Sequence, residues 1–258
     1  MNGASVWSTQ RKIQPHGVKR MKRKLLLLVV LAALLSGCAG YQRVQRPPRV
    51  NLGSTVAVLF FDNFTDDYAI SHEVEQELVK TLSGYYRVLP PAEVEWALVR
   101  LGLLRGQSPD PNQAIRLGQM LGVDALVMGE VSGYFQPVTQ TPPYPTGREM
   151  TDERGNKLYQ YEYVENTQVM VSFTGRVMDT RSGNVIHRLR VQGQSSSERK
   201  EILRYPREWW PANRRPTTWD LPAPSYSQVP WVRQNAIREA ISQFTEDIMP
   251  TYTWEKVQ

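Results

Sequence analysis

One cysteine, Cys38, serves the whole chain of 258 residues. A single cysteine excludes an internal disulfide framework. The only histidines are His16, His72 and His187, so there is little stock for a zinc site, which draws mainly on Cys and His. The same scarcity removes Cys-His chemistry and leaves little for Ser-His catalysis. No Gly-rich phosphate loop and no G-x-S-x-G occur. Asp62, Asp66 and Asp67 lack the spacing and the glycine of an EF-hand loop. Asp179-Thr180 is not followed by glycine, so it is not an aspartic-protease signature. The apolar run Leu25–Leu35 is 11 residues long, against roughly 20 for a membrane-spanning helix. There is no internal repeat and no heptad pattern. A non-enzymatic protein without metal or cofactor is the expectation.

The run Leu25–Cys38 reads LLLLVVLAALLSGC and follows Lys22-Arg23-Lys24. A positive segment followed by a short apolar core is a secretory signal, which is left out of the fold. Residues 1–37 are therefore read as a signal peptide, with Met21 as an alternative start. Leu35-Ser36-Gly37-Cys38 resembles the bacterial lipobox. That resemblance implies a lipidated Cys38 with several acyl chains, palmitate among them, and two or more chains anchor stably. Ala39 stands where an aspartate would direct retention. The resemblance therefore implies the periplasmic face of the outer membrane.

The leader also accounts for the charge. The chain has 31 Lys+Arg and 25 Asp+Glu. Residues 1–37 carry seven of those basic residues and no acidic one, so the remainder has 24 against 25 and a net charge of −1. The overall pI of 9.4 is no argument for nucleic-acid binding.

Residues 38–53 read as lipid anchor and tether, extended by Pro47-Pro48. Thr55–Phe61 (TVAVLFF) is short, β-branched and apolar, as a strand buried on both faces is. Ile70, Val74, Leu78 and Leu82 fall on one helical face, with Gly84 as the expected C-cap. Tyr86–Leu89 is a short strand. Ala92–Leu101 and Pro111–Leu121 are helices, the second capped by Asp110 before Pro111. Ala125–Val131 is another buried strand. The order β-α-β-α-α-β argues for helices packed on a sheet. Gln136–Asn156 reads as a loop. Leu158–Met178 alternates as a long strand and turns at 179–184 into a return strand, Val185–Gln194. Residues 197–230 form an arm rich in Pro and Trp, whose prolines exclude helix interior and central strand. Trp231–Met249 carries an apolar helical stripe, and residues 231–258 pack as helix and tail on the mixed domain of residues 54–196. The fold class expected is α+β with an α/β-like N-terminal half. It is a mixed sheet flanked by helices in three α/β/α-like layers, with a long antiparallel hairpin and a C-terminal helix.

TVAVLFFDNFTDD, then YYRVL, then LGQMLGVDALVMGEVSGYF (residues 55–67, 85–89 and 117–135) resemble the curli-secretion lipoprotein family of bacterial outer membranes. Related envelope lipoproteins share the pattern, among them activators of penicillin-binding proteins. The most specific pieces, Phe61-Asp62-Asn63 and Gly122-Val123-Asp124, are fold markers and bring no catalytic residue. The resemblance implies an outer-membrane-anchored periplasmic lipoprotein acting as a non-enzymatic accessory or scaffold in envelope assembly or secretion. Its alternatives are an oligomeric export pore and an activator of a peptidoglycan synthase. The partners expected are the membrane, through lipid on Cys38, an envelope protein and a second copy of the chain; no nucleic acid is expected.

Trp209, Trp210, Arg214 and Trp219 are the candidate partner-binding residues, because aromatics and Arg are enriched in interfaces. The plainer expectation is an arm stapled to the domain by buried Trp rings. Tyr159, Tyr161 and Tyr163 share one strand face, which the pore alternative would place against lipid.

Overall fold

The computed structural model describes residues 41–104, 107–206 and 217–256. Cys38, the leader, Trp209, Trp210 and Arg214 lie outside the described residues. The elements run β1 (Tyr41–Arg46), β2 (Thr55–Asn63), α1 (Ile70–Leu82), β3 (Arg87–Val88), α2 (Pro91–Arg100), α3 (Pro111–Leu121), β4 (Ala125–Phe135), β5 (Val138–Gln140), β6 (Tyr144–Thr151), β7 (Lys157–Asp179), β8 (Val185–Pro206), α4 (Val229–Thr245) and β9 (Thr251–Lys256). They fall in two compact units, residues 47–251 and a second that includes 41–46 and 252–256.

In the larger unit a mixed sheet runs β3-β2-β4-β7-β8. β2 is parallel to β3 and β4, while β7 is antiparallel to β4 and β8. Side chains alternate across a strand, so β2 and β4 send their apolar runs to both faces. Val56, Val58, Val127 and Val131 meet the α1 stripe Ile70, Val74, Leu78 and Leu82, and α4 through Val232, Ala236, Ile237 and Phe244. Ala57, Leu59, Leu126 and Met128 meet Val94, Ala97 and Leu98 of α2 and Ala114 and Leu117 of α3. The three layers expected from the element order are present.

The caps differ in outcome. Asp110 accepts the Gln113 N–H at 2.8 Å in a reciprocal capping box, Pro111 opens α3, and Gly122 closes it at φ 65°. Gly84 takes no left-handed turn. The end of α1 tightens instead, with the Tyr85 and Tyr86 N–H groups both bonding to the Leu82 carbonyl at 3.0 and 2.8 Å.

β7 is the longest element, 23 residues, which spans about 75 Å at full extension. β8 pairs along one side of it, and β4, β5 and β6 follow one another along the other. Two expectations need correcting here. Residues 136–156 are not a plain loop, because β5 and β6 lie there and β6 closes a hairpin with β7 around Gly155. Pro145 is tolerated because β6 is an edge strand. The return strand continues past Gln194 to Pro206, so the first part of the expected arm is paired strand. Ser195–Tyr205 contains no proline, and its polar side chains on both faces hide a strand from hydropathy.

In the smaller unit β1 pairs with β9, so the tether and the tail each contribute a strand. Arg46 and Glu255 form an exposed ion pair at 2.9 Å, and the Arg43 guanidinium lies 3.9 Å from the Tyr252 ring centre. No helix among the described residues is long and apolar enough to cross a membrane.

Candidate partner-binding face

Residues 217–228 form a strap held against one face of the β7–β8 ribbon. Its start is fixed locally, with the Thr217 N–H and hydroxyl both donating to the Asp220 carboxylate at 2.9 and 3.0 Å. The ribbon and β5 then fasten it at successive points. The Tyr205 hydroxyl donates to the Asp220 carbonyl at 3.1 Å, and the Gln140 side-chain amide to the Pro222 carbonyl at 3.2 Å. The Ser225 N–H donates to Glu165 Oε2 at 2.8 Å, and Arg199 to the Ser227 hydroxyl at 3.0 Å.

Odd-numbered residues of β7 and β8 form this seat. Tyr159 stands opposite Tyr205, Tyr161 opposite Leu203, Tyr163 opposite Glu201 and Glu165 opposite Arg199. Tyr161 and Tyr205 meet edge to face at 6.2 Å. Tyr163 is only 4% exposed, and burial pushes its phenol above the ordinary value, with the carboxylates of Glu201 and Glu165 adding to the rise. Glu165 is 2% exposed. Its Oε2 also accepts the Gln140 amide at 3.2 Å, while its Oε1 is buried without a hydrogen-bond partner. Glu165, Arg199 and Tyr205 of this face bond to the strap and Tyr163 is buried, while Tyr159 and Tyr161 stay partly exposed.

Trp219 sits on the strap's first turn, 93% exposed, and Tyr226 near its end is also exposed. For Trp219 the buried-staple expectation fails. The fastening comes from Glu165, Tyr205, Gln140 and Arg199, none of which is among the candidate residues of the arm. The available signal was Glu165, a lone carboxylate continuing a tyrosine face. Trp209, Trp210 and Arg214 lie outside the described residues, so of the four candidates the structure places Trp219 alone.

The aspartates after β2 separate. Asp67 binds Arg233 of α4 through two oxygens, at 2.7 and 3.1 Å, and Glu73 takes the same guanidinium at 2.7 Å. The guanidinium also lies 4.9 Å from the Tyr134 ring centre. Burial pushes the Asp67 carboxyl up, but the Arg233 hydrogen bonds and the N–H groups of Ala69 and Ile70 outweigh it and hold the carboxyl below its ordinary value. The adjoining loop presents Phe64 and Tyr68 to solvent, Tyr68 being 92% exposed. His72 meets Gln76 and Glu75 on the surface of α1, and the His187 ring lies tilted against Phe244 at 5.4 Å. Among the described residues neither histidine is hydrogen-bonded to a hydroxyl or thiol.

No protein-family model matches the chain and no curated protein matches it in sequence, so the curli-secretion likeness stays one of short motifs. Among solved structures, the chain is similar to lipoprotein GNA1162 from Neisseria meningitidis, with 18% identity, 56% of this chain and 85% of that chain covered, and a TM-score of 0.38. It is similar to the LpoB C-terminal domain from Salmonella enterica at 16% identity, covering 55% and 84%, with a TM-score of 0.36. It is also similar to the PelC dodecamer from Paraburkholderia phytofirmans at 14% identity, covering 81% and 95%, with a TM-score of 0.33. Likenesses this distant leave function and partner to be argued from the chain's own residues.

Proposed function

We propose that this chain is a lipid-anchored, non-enzymatic accessory of the bacterial envelope, held at the outer membrane by Cys38 and working by binding a protein partner through the strap. The carrying observation is the Trp219 ring, 93% exposed on a turn that is itself fixed by hydrogen bonds. A large aromatic side chain presented on a preorganised turn loses little conformational freedom when it docks. That is the property of a binding hot spot. The signal and lipobox pattern of Leu25–Cys38 supports the location. The export-pore alternative is the weaker reading, because on the face it would place against lipid Tyr163 is buried and Glu165 is bonded to the strap.

The two halves are tested separately. Cys38→Ala should move the protein from the membrane fraction to the soluble one. Trp219→Ala should stay at the membrane with unchanged melting but lose a partner that co-purifies with the parent. A Trp219→Ala protein that retains its partner would refute the binding role of the strap.

A further inference from the structure

The sheet face on the α2 and α3 side turns polar beyond Met128, and there it gathers three arginines. Arg176 of β7 stands directly opposite Arg188 of β8, and Arg190, two residues along, stands opposite Thr174. Residues two apart share a strand face, so all three guanidiniums share one side. Like charges directly opposite each other across antiparallel strands are destabilising. Among the described residues none of the three makes an ion pair. Arg176 donates from Nη2 to the Ser108 hydroxyl at 3.1 Å, but its Nε is buried with no acceptor. The nearby carboxylates Asp62 and Glu130 face each other on β2 and β4, and Thr174 separates Glu130 from Arg190. Burial and Glu130 raise the Asp62 carboxyl while Arg176 draws it down, so the acidic and basic ends sense each other without pairing.

We infer that Arg176, Arg188 and Arg190 form a binding site for a phosphate group. Guanidinium forks match phosphate oxygens bidentately. The Arg176 Nε–H is already desolvated and lacks an acceptor, so an oxygen there completes a bond that the fold leaves open. Ser108 fixes the orientation of that guanidinium, while Arg188 and Arg190, both exposed, close from the open side. A dianion balances three cations better than a single carboxylate does. The phosphate has two sources, a free anion or the headgroup of an anionic phospholipid.

The test uses the full chain with Cys38→Ala, with and without R188E/R190E. Millimolar inorganic phosphate should raise the parent's melting temperature and shift the Arg176 Nε–Hε resonance, and R188E/R190E should weaken the affinity by roughly tenfold or more. Without phosphate, Arg188→Ala should melt no lower than the parent, since a repulsion is relieved. Phosphatidylglycerol vesicles, with phosphatidylcholine as control, separate the sources. Parent protein that sediments with them more than R188E/R190E does identifies the headgroup. A response to inorganic phosphate alone identifies a free anion. The inference is overturned if phosphate moves neither readout and both proteins bind vesicles equally, or if R188E/R190E responds to phosphate as the parent does.

Discussion

Ser225 places its backbone N–H 2.8 Å from Oε2 of Glu165, sixty positions earlier in the chain and 2% exposed. A carboxylate so deeply buried, with one oxygen unpartnered, depends on the donors it has. Glu165→Ala should therefore unfasten the strap at a cost of about 1–3 kcal/mol, while Glu165→Gln, which keeps an acceptor, should lose less. Amide exchange at Ser225 and protease cleavage within 217–228 read this. An equally protected Ser225 amide in Glu165→Ala would show that the strap is held by something else.

Arg233 ties α4 to the loop after β2, through Asp67, and to α1, through Glu73. Removing it leaves two partly buried carboxylates without their cation. Arg233→Ala should cost about 2 kcal/mol, below the range for fully buried pairs because Asp67 and Glu73 remain partly exposed. The effect depends on pH in a defined direction. Asp67 is held below its ordinary 3.8 in the fold, so it binds its proton less tightly folded than unfolded. Its contribution is present above that ordinary value and is lost as pH falls through the folded one. Melting curves of parent and Arg233→Ala should draw together as pH falls from about 4. A gap that stays constant down to pH 2 would contradict the ion-pair account.

Gly193 lets α4 lie on the sheet. A Cβ there would sit 1.9 Å from the Ala236 carbonyl oxygen and 2.5 Å from the Ala240 nitrogen, both backbone atoms that cannot rotate away. Gly193→Ala should cost roughly 3 kcal/mol. Gly133→Ala, where the nearest atom is the Ser172 Cβ at 3.5 Å, should be close to neutral. Chemical denaturation of the pair checks the close approach.

Trp219→Ala should change stability by no more than about 0.5 kcal/mol, as exposed substitutions do. A large loss of melting temperature would restore the buried-staple expectation for this ring.

The parts of the fold legible in the amino-acid sequence are those whose burial writes a pattern into hydropathy. Val56 to Leu59 and Leu126 to Met128 are apolar on both faces, α1 repeats every four residues, and Asp110-Pro111 announces its own helix. The candidate site was less legible. Trp219 stood out by residue type, but its seat depends on a contact between Glu165 and Ser225 that no local period encodes. β8 beyond Gln194 reads as an arm because one face is solvated and the other covers a polar strap. Gly84 misled because the end of α1 is satisfied by a tightened turn, which needs no glycine. The arginine triad is invisible without register, since Arg176 and Arg188 become neighbours only through the β7–β8 pairing.

The most direct measurement is a photo-cross-linking side chain placed at position 219 in the intact envelope, with the exposed turn residue Glu153 as the control site. The account predicts a discrete adduct with another envelope protein from position 219 and none from 153. That adduct should disappear when Glu165→Ala releases the strap. Absence of any adduct at 219 beyond the level at 153 would contradict it.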